Sequence, residues 1–348
     1  MDNNNFSLIF GQQPASYVER YNTAKKIYDD FMLDYPLSKF YIISGVQGSG
    51  KTVLLTRISR MIKENKDWIV IDLNPNRELL SQLAAGIYEN SKVKHLFLST
   101  SFSISFKGFG FGIEGKEPVS NIKTVVEKML NVIKKSNKKV LMTIDEVSNN
   151  NYMRAFAHDF QSLLREEYPV YILMTGLYEN VSSLQNSKNL TFLYRAPKID
   201  LEPLNIRLIE EEYKKVFKNS DDEIIAKLAI LTNGYAFAYQ VIGMLYAKYN
   251  NVDLIYDELD AYLSLYSYSK IWEELPLKEK KFLYCFKKQE MTTKEVLQES
   301  GLNQKEYSVY RDRLIKRGLL SSKKYGLILL VLPRFLEFIQ KQSNGFDS

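Results

Sequence analysis

Apolar positions in the first 200 residues fall into short runs separated by longer stretches of helical spacing. Phe40-Tyr41-Ile42-Ile43, Trp68-Ile69-Val70-Ile71, Val140-Leu141-Met142-Thr143-Ile144 and Val170-Tyr171-Ile172-Leu173-Met174 are rich in β-branched and aromatic residues. Runs of that length and composition read as buried strands. A fifth strand is expected over 190–197, LTFLYRAP. Between the strands, apolar residues recur every three or four positions in 17–31, 78–88, 120–135 and 152–168, the signature of helices with one buried face. Strands alternating with helices predict an α/β unit built on a parallel sheet.

Residues 99–115, STSFSISFKGFGFGIEG, break this rhythm. Phe102, Ile104 and Phe106 alternate with serines, and Phe109, Phe111 and Ile113 alternate with glycines, so a β-hairpin inserted into the α/β unit is expected. The glycines leave one strand face bare. A structural flap and a partner-binding surface both fit.

After residue 200 the spacing is helical throughout: 208–217, 221–231 with acids in its first turn, 236–249, and a fourth helix reaching about 268. The segment 275–339 then reads as helix (278–286), helix (293–300), helix (304–317, opened by Asn303) and strand-turn-strand (319–330). That order describes a winged helix-turn-helix. Three domains are expected: an α/β domain at 1–200, a helical lid at 201–270 and the winged segment at 271–348.

The candidate chemistry sits where the first strand ends. Gly45-Val46-Gln47-Gly48-Ser49-Gly50-Lys51-Thr52 fits G-x-x-x-x-G-K-[ST], with a strand before it and a helix after it. Glycines let backbone N–H groups turn inward around an anion, and the helix that follows aims its positive end at the same place. Lys51 is placed to reach the β- and γ-phosphates, and the Thr52 hydroxyl to sit on Mg²⁺. The strand at 140–144 delivers Asp145 and Glu146. The pair suits Asp145 to hold Mg²⁺ through water and Glu146 to polarise an attacking water. Thr175 closes the next strand and is the candidate sensor of the γ-phosphate; threonine is also an ordinary strand residue. Arg195 ends the expected fifth strand, where arginine fingers occur, though a surface ion pair fits it as well.

The chain carries a net charge of +6, and residues 271–348 alone hold 15 Lys and Arg against 10 Asp and Glu. The excess at one end points to contact with nucleic acid. In the third helix Arg311, Arg313, Lys316 and Arg317, with Lys323 and Lys324 at the hairpin tip, are the candidate DNA contacts. Tyr307, Tyr310, Leu314 and Ile315 give that helix an apolar face as well, so a protein partner is the alternative. The single cysteine, Cys285, excludes an internal disulfide and points to a reducing cytoplasm. His95 and His158 lack partners at zinc-ligand spacing. No run is long and apolar enough for a membrane span, and the start MDNNNFSLIF does not read as a signal peptide.

With GVQGSGKT at 45–52, VLMTIDE at 140–146, ILMTG at 172–176 and NGYAFAYQVIG at 233–243, the chain resembles the AAA+/STAND group of P-loop ATPases, in particular the prokaryotic initiator class. The resemblance spans nearly the whole chain. It implies a P-loop ATPase domain, a helical lid and a C-terminal winged helix, with ATP/ADP and Mg²⁺ as cofactors. Double-stranded DNA, a protein partner or further copies of the chain are the implied partners. The lid helix of that class carries a nucleotide-sensing arginine after such a glycine; Gly234-Tyr235-Ala236-Phe237 offers none, and the STAND-type proline is absent. Slow or regulated hydrolysis, serving as a nucleotide switch, is the expectation.

Overall fold

The computed structural model describes residues 5–9, 14–98, 104–107, 110–113, 121–187, 190–322 and 326–344. These form two compact units. One comprises Tyr21–Ser44 and Lys51–Asp200; the other comprises Met1–Arg20, Gly45–Gly50 and Leu201–Ser348. Among the described residues no helix is long and apolar enough to cross a membrane.

The first unit is α/β. Its elements are α1 (Tyr21–Met32), β1 (Phe40–Ser44), α2 (Lys51–Glu64), β2 (Trp68–Leu73), α3 (Leu79–Glu89), α4 (Lys94–Leu98), β3 (Ile104–Lys107), β4 (Gly110–Ile113), α5 (Ile122–Lys135), β5 (Lys139–Ile144), α6 (Asn151–Arg165), β6 (Val170–Gly176), α7 (Tyr178–Gln185) and β7 (Lys198–Asp200). Five strands form a parallel sheet in the order β2-β5-β6-β1-β7. Strands β1, β5 and β6 are buried along nearly their whole length, which is why they read as continuous apolar runs. Asp30 of α1 is buried and accepts from Tyr41 Oη (2.8 Å), Leu37 N (2.7 Å) and Ser38 N (3.2 Å). A carboxylate satisfied by three donors pins the entry to β1. Strands β3 and β4 pair antiparallel, Ile104 against Ile113, as the expected hairpin. The rest of the 99–115 pattern lies outside the described residues.

The sequence reading of a strand over 190–197 is corrected. Residues Thr191–Arg195 form a 3₁₀ turn, and the fifth strand is β7. Leu190 and Leu193 are both buried at a spacing of three, and Leu193 N donates to Leu190 O at 3.0 Å. That is the period of a 3₁₀ turn rather than of a strand. Sheet pairing begins only at Pro197, whose carbonyl accepts from Ile42 N at 3.1 Å. The helix expected from Tyr17 likewise starts later, at Tyr21.

The second unit contains α8 (Ile206–Val216), α9 (Asp222–Leu231), α10 (Ala236–Tyr249) and α11 (Tyr256–Leu263). A π-helical turn, Ser264–Tyr268, carries α11 into α12 (Ser269–Glu273). Next come α13 (Leu277–Tyr284), β8 (Glu290–Thr292), α14 (Thr293–Ser300), α15 (Gln304–Lys316), β9 (Leu320–Ser321), β10 (Leu327–Leu330) and α16 (Phe335–Asn344). Strands β8, β10 and β9 form a small antiparallel sheet in that order. With α13, α14 and α15 they make the winged helix. Strand β8, three residues long, completes the sheet beside the expected hairpin.

One apolar cluster runs through this unit without a break at residue 270, from Phe6 and Tyr239 through Tyr268 to Leu314 and Phe335. Polar bonds fasten the helices to the winged segment. Arg334 grips the Asp260 carboxylate with two 2.7 Å bonds, Tyr268 Oη donates to Pro333 O at 2.5 Å, and Asn233 Nδ2 donates to Val331 O at 2.6 Å. Gly234 has φ +73°, and a Cβ there would lie 2.6 Å from Leu204 O, so only glycine ends α9 this way.

Candidate functional site

In the α/β unit three adjacent strands end at the same edge of the sheet. Asp145 follows β5 and Thr175 lies near the end of β6; Thr175 pairs in register with Ile43 of β1. The carboxyl ends of parallel strands are where α/β folds place ligands. Thr52, in the first turn of α2, donates through its hydroxyl to Asp145 Oδ2 at 2.8 Å. The Thr175 hydroxyl, fully buried, donates to Asp145 Oδ1 and accepts from Glu146 N at 3.1 Å. Asp145 is therefore held on both oxygens, and Thr175 braces both acids of the motif. Glu146 has φ +53°, a left-handed conformation uncommon for a residue with a side chain and concentrated at functional sites.

Lys51 opens α2 and is 8% exposed. Asp72, at the end of β2, receives the Thr143 hydroxyl at 2.9 Å. Partial desolvation pushes the Asp72 carboxyl up; the Thr143 bond opposes this and the nearby Asp145 adds to it. Asp72 and Thr143 carry no motif in the sequence; they pair in register across β2 and β5, two positions before Asp145.

Arg195 is exposed and precedes the amino end of β7, so within this unit it does not join Asp145 and Thr175 at the carboxyl edge.

In the other unit, Gly45–Gly50 group with Met1–Arg20 and Leu201–Ser348. Ser49 N donates to Val46 O at 3.2 Å, closing a tight turn with Gly48 at φ +75° and Gly50 at φ +90°. Tyr235 Oη donates to Gln47 O at 2.7 Å, Phe237 N to Gly48 O at 3.1 Å and Arg20 Nη2 to Ser49 O at 3.3 Å. Tyr235 and Arg20 carried no signal in the sequence, because it does not reveal which segments fold against the loop. The Val46 side chain packs into the apolar cluster, beside Gly318 at the end of α15.

The winged helix buries Tyr307, Tyr310 and Leu314 of α15 in its core. Arg317, the C-cap, pairs with Glu279 at 3.0 Å, and Arg313 approaches the same carboxylate at 3.8 Å. Arg311 pairs with Asp312 at 2.7 Å and lies over the Tyr307 ring. Lys316 is exposed. Lys323 and Lys324 lie outside the described residues.

A parallel sheet in this order, a glycine loop after its first strand, an acidic pair after β5, a helical region and a winged helix together make the AAA+ P-loop fold. Two solved structures agree in fold over nearly their full lengths. The ORC2 protein of Aeropyrum pernix, in ADPNP-ADP complexes, matches with a TM-score of 0.57 and 15% identity, covering 94% of this chain and 95% of that one. Cdc6p from Pyrobaculum aerophilum matches with a TM-score of 0.50 and 13% identity, covering 98% and 97%. Residues 266–339 match a family model described as a domain of unknown function (DUF8462). No curated protein matches the sequence.

Proposed function

We propose that the protein binds Mg²⁺-ATP at residues 45–52, hydrolyses it slowly, and uses the nucleotide state to switch a winged helix that binds double-stranded DNA. The observation that carries this reading is the 2.8 Å bond from Thr52 to Asp145, which joins the ends of two motifs 93 residues apart. The residues present fit the cofactors. The Ser49 hydroxyl oxygen in the glycine loop is buried with no hydrogen-bond partner among the described residues, as suits a loop that wraps an anion. Thr52 and Asp145 offer hard oxygen ligands, and no cluster of three metal-ligating side chains occurs among the described residues. Hard oxygen ligands suit Mg²⁺, which keeps waters and substrate phosphates as its other ligands. When bound, Mg²⁺ neutralises charge developing on the β- and γ-phosphates.

The protein's own residues do the rest. Lys51 meets the phosphates, Thr175 holds Asp145 and the Glu146 backbone in place, and Glu146 orients water. The nucleotides in the ORC2 structure support the nucleotide assignment. Exposed Arg313 and Lys316 on α15 support DNA as the partner. The lack of an arginine at 234–237 supports slow turnover.

A second reading is a nucleotide-gated scaffold whose winged helix binds a protein. It is favoured by the engagement of Arg311 and Arg317 with acids of the same domain. The deciding experiment is steady-state ATP turnover of the full-length protein with and without duplex DNA, alongside Lys51→Ala and Glu146→Gln. Turnover raised by DNA and lost in Glu146→Gln supports the first reading. Tight ATP binding with no turnover in either condition supports the second. ATP binding by Lys51→Ala equal to the parent's would refute the site.

A further inference from the structure

Three successive carbonyls of the glycine loop, those of Gln47, Gly48 and Ser49, each accept a hydrogen bond from outside the loop. The donors are Tyr235 Oη, Phe237 N and Arg20 Nη2. All peptides described here are trans, and a trans peptide carries its N–H opposite its carbonyl. Tying these carbonyls down constrains the three peptides whose N–H groups belong to Gly48, Ser49 and Gly50. The Ser49 N–H closes the turn onto Val46. Backbone N–H groups of such a glycine loop are the dipoles an anion would meet.

Tyr235 is the side chain most committed to this arrangement. Its ring is buried, and a Cβ added to Gly48 would stand 2.2 Å from its hydroxyl oxygen, so it lies directly against the loop. A phenol has one proton to give. With that proton on Gln47 O, the Ser267 hydroxyl, 2.6 Å away and buried in the π-helical turn, donates to the phenolic oxygen. The phenol is thus fixed from both sides. Burial also pushes its pKa up, so it stays protonated.

We propose that Tyr235 is a positioning residue for the phosphate cradle, setting the Gln47–Gly48 peptide for a nucleotide polyphosphate, with Ser267 holding Tyr235 in place. This rests on the reading of residues 45–52 as a nucleotide site. The aromatic side chain acts on the loop backbone, where a lid arginine would act on phosphate.

The test is calorimetric titration of the full-length protein with Mg²⁺-ATP, together with turnover kinetics. Tyr235→Phe, which keeps the ring, is expected to raise Kd and KM about 5- to 10-fold, the worth of one net hydrogen bond, with kcat at saturation nearly unchanged. Ser267→Ala is expected to shift both in the same direction by less. The double variant is expected to be no weaker than Tyr235→Phe, because Ser267 acts through the phenol. A purely structural role would lower the unfolding midpoint without that coupling. The proposal is overturned if Tyr235→Phe binds within twofold of a parent that itself binds ATP and loses it on Lys51→Ala. If Tyr235→Phe does not fold, Ser267→Ala at the parent's affinity overturns it alone. A parent that binds no ATP is a separate result, which removes the nucleotide reading itself.

Discussion

Arg317, at the end of α15, holds the carboxylate of Glu279 in the first turn of α13 at 3.0 Å, and Glu279 is only 1% exposed. The pair ties the third helix of the winged segment to its first. An arginine that sequence alone marks as a DNA contact is thereby engaged inside the domain. Removing one member of a buried pair leaves the other charge desolvated. Arg317→Ala is expected to destabilise the protein by about 3 kcal/mol, measured by urea unfolding. Replacing both members with apolar residues is expected to recover most of that loss. A stability unchanged in Arg317→Ala would show that the pair is not formed in solution.

If α15 meets DNA, the work falls to Arg313 and Lys316, which are exposed. Each phosphate contact contributes close to one unit to the slope of log affinity against log salt. Arg313→Ala and Lys316→Ala should each lower affinity for any duplex sequence and reduce that slope by about one. Fluorescence anisotropy across a salt series reads both quantities. Binding that is absent even at low salt in the parent would favour the protein-partner reading.

Much of the α/β unit was legible because its signals are local. Strands β1, β5 and β6 are buried, so they stand out as apolar runs, and the glycine loop and acidic pair are contiguous motifs. The helices α10 and α14 begin and end where spacing and caps placed them. The misread segment, 190–197, has strand-like composition but buries Leu190 and Leu193 at a spacing of three. What the sequence withheld was long-range. The bonds from Tyr235 and Arg20 to the glycine loop join residues 188 and 29 positions apart. The short strand β8 is defined only by its pairing with β10. The charge of α15 was visible, whereas its pairing with Glu279 of α13 was not.

Thr175 offers a sharp test of how the acidic motif is held. Its hydroxyl serves both the Asp145 carboxylate and the Glu146 N–H. Thr175→Val keeps the side-chain shape and removes both bonds. ATP affinity is expected to hold within a few-fold, while turnover drops about 10- to 100-fold as the acids lose their alignment. Thr175→Ser, which restores a hydroxyl, should recover most of the rate. Single-turnover kinetics separates this from slow product release. Equal rates for the valine variant and the parent would mean that the hydroxyl is not needed to align the acids.

The start of α14 supplies a pH dependence of known sign. Glu295 is held down to about 2 from an ordinary value of 4.5, first by its bond to Lys288 and then by the N–H and hydroxyl of Thr292 in a capping box. A carboxyl depressed in the folded state binds its proton more readily when unfolded. Its contribution is therefore full above about pH 4.5 and fades as the pH falls toward 2. The stability advantage of the parent over Glu295→Gln, read as the difference in urea midpoints, should be present at pH 6 and shrink steadily between pH 4.5 and 3. Because Glu295 is exposed, added salt should weaken the Lys288 part of the advantage at every pH. The Thr292 bonds, being short and local, should persist. A midpoint difference that does not change across that pH range would mean that Glu295 titrates normally and that the capping box does not form in solution.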